Sequence, residues 1–323
     1  MFDMAPTARR ILQTVLGVQP GERVTIVTDT ASPHTITDVL ATVASSMGAK
    51  PLVITMLPHD VGGQEPVPAV AAAMRASDAV ILQDAYALVH TDAFRAAAAG
   101  GVRLVELWGV TEEMMLRGGL VADYHEVARL TDAVQAALEK STTARLTTPA
   151  GTDITVAIGA HAPVPLTGEA LYSGSFCSLP GGELAIAPDE GTASGVLVDP
   201  FLLEQRDMGY RKDRLSITVE NGLVTEVVGG REASILERLL TNAGDSARNI
   251  AEFAIGTNGW CRPYESFREA KKALGTAHLA VGDSGSLGGT VVSPMHMDMI
   301  FDHPTVTLDG GVTLLKDGKL LVD

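Results

Sequence analysis

Apolar and polar positions repeat with two different periods along the chain, and the change falls near Ser141. Before it, compact apolar runs (ERVTIVTD, PLVITML, DAVILQDA and VRLVELWG) alternate with stretches at helical spacing: PHTITDVLATVASSMGAK, PVPAVAAAMRAS, DAFRAAAAGG and EVARLTDAVQAALEK. Strands covered on both faces read as continuous apolar runs, and a helix between two of them implies a parallel crossover. Residues 1–140 are therefore predicted to form a Rossmann-like or flavodoxin-like α/β scaffold domain on a parallel sheet.

After Ser141 the period shortens to two. ARLTTPAGTDITVAIG predicts two strands around a Pro/Gly turn, and RLSITVENGLVTEVVGG a hairpin about Asn221-Gly222. PTVTLDGGVTLLKDGKLLVD closes the chain in the same style, and REASILERLLTNA and YESFREAKKALG carry helical spacing. Residues 141–323 are predicted to form an α+β metal-binding catalytic domain with largely antiparallel sheet.

The metal expectation begins at SPMHMDMIFDHP, residues 293–304. In a strand, Met295, Met297 and Met299 face one way and pack, while His296 and Asp298 face the other. Three more apolar strand patterns each carry one ionisable residue: Glu183 in PGGELAIAP, Glu252 in NIAEFAIGTN and His278 in GTAHLAVGDS. Buried carboxylates need a pairing partner or an ion. A hydrogen-bonded His–Asp pair is the simpler alternative for His296 and Asp298. Together, three carboxylates and two imidazoles suit one or two divalent ions, with zinc, manganese, cobalt and Fe(II) all compatible. Such ions activate water, and Glu183 or Glu252 would combine ligation with proton handling; if both are ligands, the general base is another group.

Composition narrows the partners. The chain has 323 residues, 46% of them hydrophobic, and a formal net charge of −15, which opposes a nucleic-acid partner. No apolar run approaches the roughly 18 residues of a membrane span, and the first residues lack a signal-like core, so a cytoplasmic protein is expected. The two cysteines, Cys177 and Cys261, lack the spacing of a thiolate zinc site. TDTASPH follows the first strand where a nucleotide-binding fold would place a glycine-rich turn, so no phosphate cradle is predicted.

PGGELAIAP, NIAEFAIGTN, LGTAHLAVGDS and PMHMDMIF followed by PTVTLDG resemble, in order, the motifs of the aminopeptidase T (thermophilic, leucyl-type) metallo-aminopeptidase family. The resemblance covers the second half and is weaker in the first. It implies a dinuclear site at Glu183, Glu252, His278, His296 and Asp298 holding zinc, manganese or cobalt, a homodimer, and a hydrolase cleaving an N-terminal peptide bond or an aromatic amine. Its substrate would be a short peptide or small molecule. Those aminopeptidases carry a tyrosine where this chain has Gly285. A related branch of the same fold, the 2,5-dihydroxypyridine ring-cleaving dioxygenases, uses a single non-haem iron. There the position matching Glu252 resembles histidine, and the match to His278 is not a ligand. Under that alternative, His278, His296 and Asp298 resemble a two-His-one-carboxylate triad for Fe(II). A third reading is a non-enzyme whose metal is structural.

Near the ligand strands, Trp260 and Arg262 in GTNGWCRPYE and His303 before Pro304 are candidate substrate contacts. GDSGS, residues 282–286, mimics a trypsin-like nucleophile stretch, but the βαβ half does not fit that all-β fold. His34, His59, His90, His125 and His161 lack a companion carboxylate at ligand spacing and are expected to be surface residues.

Overall fold

The computed structural model describes residues 2–60, 62–89, 91–205 and 207–322; His90 lies outside them. Two compact units emerge, Met1–Ala128 with Thr167–Gly181, and Arg129–Leu166 with Gly182–Asp323.

The first unit is a doubly wound parallel sheet in the order Lys50–Met56, Arg23–Asp29, Ala79–Gln83, Arg103–Glu106, Phe176–Ser178. The first strand in sequence lies inside the sheet, which is the flavodoxin-like arrangement. Its residues from Val24 to Asp29 are all buried, as the continuous apolar run requires. Helices His34–Ser46, Pro68–Arg75 and Asp92–Ala99 supply the crossovers. Where a phosphate cradle would lie, the Asp29 carboxylate closes the turn: Oδ1 accepts from the Ala31 and Ser32 amides and Oδ2 from that of Ala85. The amide donors of this turn are thus taken by a side chain of the protein itself.

The second unit contains two antiparallel sheets. One runs Leu223–Gly229, Leu215–Glu220, Ser194–Val198, Asp153–Ala157, Thr143–Thr147, Thr305–Leu308, Thr313–Lys316, Lys319–Leu320. The other runs Gly209–Tyr210, Leu202–Leu203, His296–Phe301, Ala277–Gly282, Ile250–Gly256, Glu183–Ile186, Val164–Leu166. Their inner faces share one core: Leu146, Ile154 and Ile217 from the first sheet, and Phe253, Leu279, Met297 and Met299 from the second. The helix Arg231–Ala243 adds Leu236 and Leu240 to it. The methionines of MHMDM are therefore packing residues, as their alternation predicts.

The helix expected over YESFREAKKALG does not form. That segment is turns with a single 3-10 turn at Ala270–Lys272, because Lys271 and Lys272 are drawn into buried ion pairs that a regular surface helix would forgo. Cys177 and Cys261 are free thiols. Among the described residues no helix is long and apolar enough to cross a membrane.

Just past the end of Ala79–Gln83, Asp84 is buried and neither carboxylate oxygen has a hydrogen-bond partner. Burial, then the Glu106 and Asp29 carboxylates, push its pKa up to about 8. The native state thus holds this proton more tightly than the unfolded chain, so the group erodes stability as pH rises from the unfolded carboxyl range, near 4, to about 8. Asp84→Asn removes that loss. Its stability advantage over the wild type should grow by up to about 1.4 kcal/mol per pH unit across this window and level off above it. Urea unfolding at a series of pH values measures the advantage, and parallel profiles for the two proteins would contradict it.

Candidate metal centre

One face of the seven-stranded sheet carries all five residues singled out in the ligand motifs. Glu183, Glu252, His278, and His296 with Asp298 come from four neighbouring strands, while Leu184, Phe253, Leu279, Met297 and Met299 point to the core. Pairing sets Glu252 opposite Ala280 and Ala280 opposite Asp298; His278 lies opposite Ala254, Gly282 opposite His296 and Gly256 opposite Glu183. The ionisable side chains are thus separated by alanine and glycine, whose small volume leaves room for them. A bulge between Ile250 and Glu252 lets Ile250 join the core while Glu252 faces the site.

The resulting contacts form an unbroken alternation of acids and bases. Glu204 Oε2 lies 2.8 Å from Lys271 Nζ, which lies 2.5 Å from Asp298 Oδ2. His296 Nε2 lies 3.1 Å from Asp298 Oδ1 and 3.0 Å from Glu252 Oε2. Glu252 Oε1 is 3.1 Å from His278 Nε2, which is 3.8 Å from Glu183 Oε2; Lys272 Nζ donates to Glu183 Oε1. Two groups of possible ligands result, Glu183–Glu252–His278 and Glu252–His296–Asp298, with donor atoms within 4.8 Å in each and Glu252 in both.

Charge settings follow from these neighbours. Burial would raise Glu252, but hydrogen bonds from His278 and His296 outweigh it and hold the carboxyl at about 2. Burial opposes a charged His296, yet Asp298 and Glu252 prevail and push it up to about 11. Asp298 is likewise held well below the usual range against burial, chiefly by Lys271. His296 Nδ1 lies 2.7 Å from the Asp283 carbonyl oxygen, to which it donates, so Nε2 is the atom presented to the carboxylates.

The donor set fits a divalent metal. Glu183 Oε2 is buried without a hydrogen-bond partner, and it and the other donors converge in two compact groups. His296, alone of the five, lines a cavity of about 300 Å³ together with Glu204, Asn242 and Met295 among others.

The remaining candidates fall outside this cluster. Trp260 is partly exposed in the loop after the Glu252 strand. Arg262 binds Glu265 at 2.7 Å and approaches Glu269 at 3.7 Å. His303 is an exposed turn residue at φ 49°, its Nδ1 3.5 Å from Asp317. His125 and His161 pair with Glu169 and Glu190. Sequence patterns missed Glu204, Lys271 and Lys272. Their only advance signal is electrostatic: several carboxylates on one buried sheet face require cations from elsewhere in the chain.

A two-unit α/β protein with a carboxylate-rich, metal-type cluster on one sheet face is the class defined by fold and site. The family profile of NicX, 2,5-dihydroxypyridine 5,6-dioxygenase, matches residues 4–322, and the chain belongs to that family. A curated 2,5-dihydroxypyridine 5,6-dioxygenase from Pseudomonas putida KT2440 is 23% identical over 202 residues, covering 57% of this chain and 55% of that protein. The alignment thus spans about half the length of that curated relative. The solved 2,5-dihydroxypyridine dioxygenase of P. putida KT2440 is similar with a TM-score of 0.84 at 18% identity, over 99% of this chain and 97% of that one. Wild-type AmpT from Thermus thermophilus is similar with a TM-score of 0.72 at 17% identity, over 99% of both chains.

These findings correct the expected hydrolase. The whole-length match is to the dioxygenase family, so a metallohydrolase, metalloprotease or aminopeptidase assignment does not stand, and the likeness to AmpT shows the fold alone. The motifs misled because they report the sheet and its donor side chains, and a fold does not fix the reaction.

Gly282 ends the His278 strand at φ 108°, where a Cβ would lie 2.0 Å from the Met295 carbonyl oxygen, directly beside His296. Gly288, at φ 81°, has open space around it. Gly288→Ala should cost about 1 kcal/mol of unfolding free energy, and Gly282→Ala about 1–3 kcal/mol more. Chemical denaturation compares them; equal losses would contradict the close approach.

Proposed function

We propose that this chain is a metal-dependent ring-cleaving dioxygenase acting on 2,5-dihydroxypyridine or a closely related dihydroxylated ring. The observation that carries the reading is the convergence of Glu252, His296 and Asp298 within 4.8 Å, with His296 also lining a cavity, in a chain of this family. With Glu252 where the ring-cleaving branch resembles histidine, the set is one imidazole and two carboxylates. Mixed imidazole and carboxylate donors accept Fe(II) among other divalent ions, and three ligands leave coordination positions open.

Bound Fe(II) supplies the redox chemistry that brings dioxygen to react with an electron-rich ring. The chain's own residues prepare for it. Asp283 fixes the His296 ring through Nδ1, and Lys271 steadies the Asp298 oxygen that does not face His296. Leu239, Pro294 and Met295 give the cavity apolar walls for a flat ring, and Gln205 and Asn242 offer amide groups to ring substituents. A cavity of about 300 Å³ is at the small end of ligand sites, which fits one aromatic ring rather than a peptide.

With Fe(II) restored anaerobically and 2,5-dihydroxypyridine added, the wild type should consume oxygen as the ring absorbance is lost. Asp298→Ala should lower that rate by about 100-fold or more. An oxygen electrode coupled to absorbance reads both. Iron-loaded wild type that takes up no oxygen with any dihydroxylated pyridine, or an unimpaired Asp298→Ala, would overturn the reading.

A further inference from the structure

The two ligand groups share Glu252, which raises the question of why a chain with donors for two ions would hold one. The second group does not lack ligands. Glu183 Oε2 is buried without a hydrogen-bond partner, 3.8 Å from His278 Nε2, and Glu252 Oε1 lies 3.1 Å from the same nitrogen. What distinguishes this group is a cation already in place: Lys272, itself buried, donates from Nζ to Glu183 Oε1.

We propose that the Lys272 ammonium takes the place of a second metal ion, limiting this chain to one divalent ion at Glu252, His296 and Asp298. The inference rests on the assignment of that group as the metal centre. Electrostatics supports it. Lys272 Nζ donates to Glu183 Oε1 and so already supplies a positive charge to the Glu183–Glu252–His278 group. A divalent ion in that group would lie beside the ammonium in a buried space, where like charges repel strongly.

The backbone delivers Lys272 to this position. Its amide donates to the Glu269 carbonyl, and its own carbonyl accepts from the Asn258 amide. Next in the chain, the Ala273 carbonyl oxygen lies so near Gly256 that a Cβ there would sit 2.1 Å from it. The lysine therefore descends from a fixed turn seated against the end of the Glu252 strand, and is no flexible surface side chain.

The experiment counts metal without reading turnover. Wild type, Lys272→Met and Lys272→Arg are loaded anaerobically with excess Mn(II), freed of loose ion by gel filtration, and measured by mass spectrometry for ions per chain. Electron paramagnetic resonance then reports whether bound ions are magnetically coupled. The wild type and Lys272→Arg should hold one uncoupled ion. Lys272→Met should hold two coupled ions through shared Glu252 and return to one when Glu183→Gln is added. Two ions in the wild type, or one in a Lys272→Met protein that unfolds cooperatively, overturns the proposal. If Lys272→Met does not fold, Lys272→Gln, which keeps a donor for Glu183, decides by the same count. Absence of ring cleavage leaves this count unaffected, and a failed count leaves the oxygen assay unaffected.

Discussion

The second unit is organised around a line of alternating charges on one buried sheet face: Glu204, Lys271, Asp298, His296, Glu252, His278, Glu183, Lys272. No member is acceptable alone in such a place, because an unpaired buried ion costs several kcal/mol. Each is tolerated because its neighbours carry the opposite sign. The same feature gives the line donors that fit a divalent ion, which would replace protons on its imidazoles.

Much of the surrounding architecture serves that line. Alanines and glycines separate the ionisable residues on the site face, and a bulge aims Glu252. On the opposite face, methionines, leucines and phenylalanine anchor the same strands in the shared core. The 3-10 turn at Ala270–Lys272 brings two cations to the carboxylates in place of a helix. The electrostatics of one face thus depend on tight packing at the other.

The strands that carry the cluster were legible in the sequence because period-two alternation reveals faces: MHMDM displays its packing and ionisable sides in five letters. The parallel half was legible from βα alternation, but not Phe176–Ser178, a three-residue edge strand from a returning segment with no periodicity. Lys272 was illegible because its partner Glu183 lies 89 positions away, and local spacing made KK resemble a solvated helix face. The reaction was misjudged for a different reason. Glu183, Glu252, His278, His296 and Asp298 form a cluster of metal-type donors, and a donor cluster on a given fold does not specify which bond is broken.

The most direct test follows the oxygen atoms. Fe(II)-loaded protein is supplied with 2,5-dihydroxypyridine under ¹⁸O₂ in ordinary water, then under ordinary oxygen in H₂¹⁸O, and the product is weighed by mass spectrometry with short reaction times to limit exchange. A dioxygenase places both labelled atoms of ¹⁸O₂ in the ring-opened product. Label entering only from water, with no oxygen consumed, would contradict the account and return the sheet face to hydrolytic chemistry.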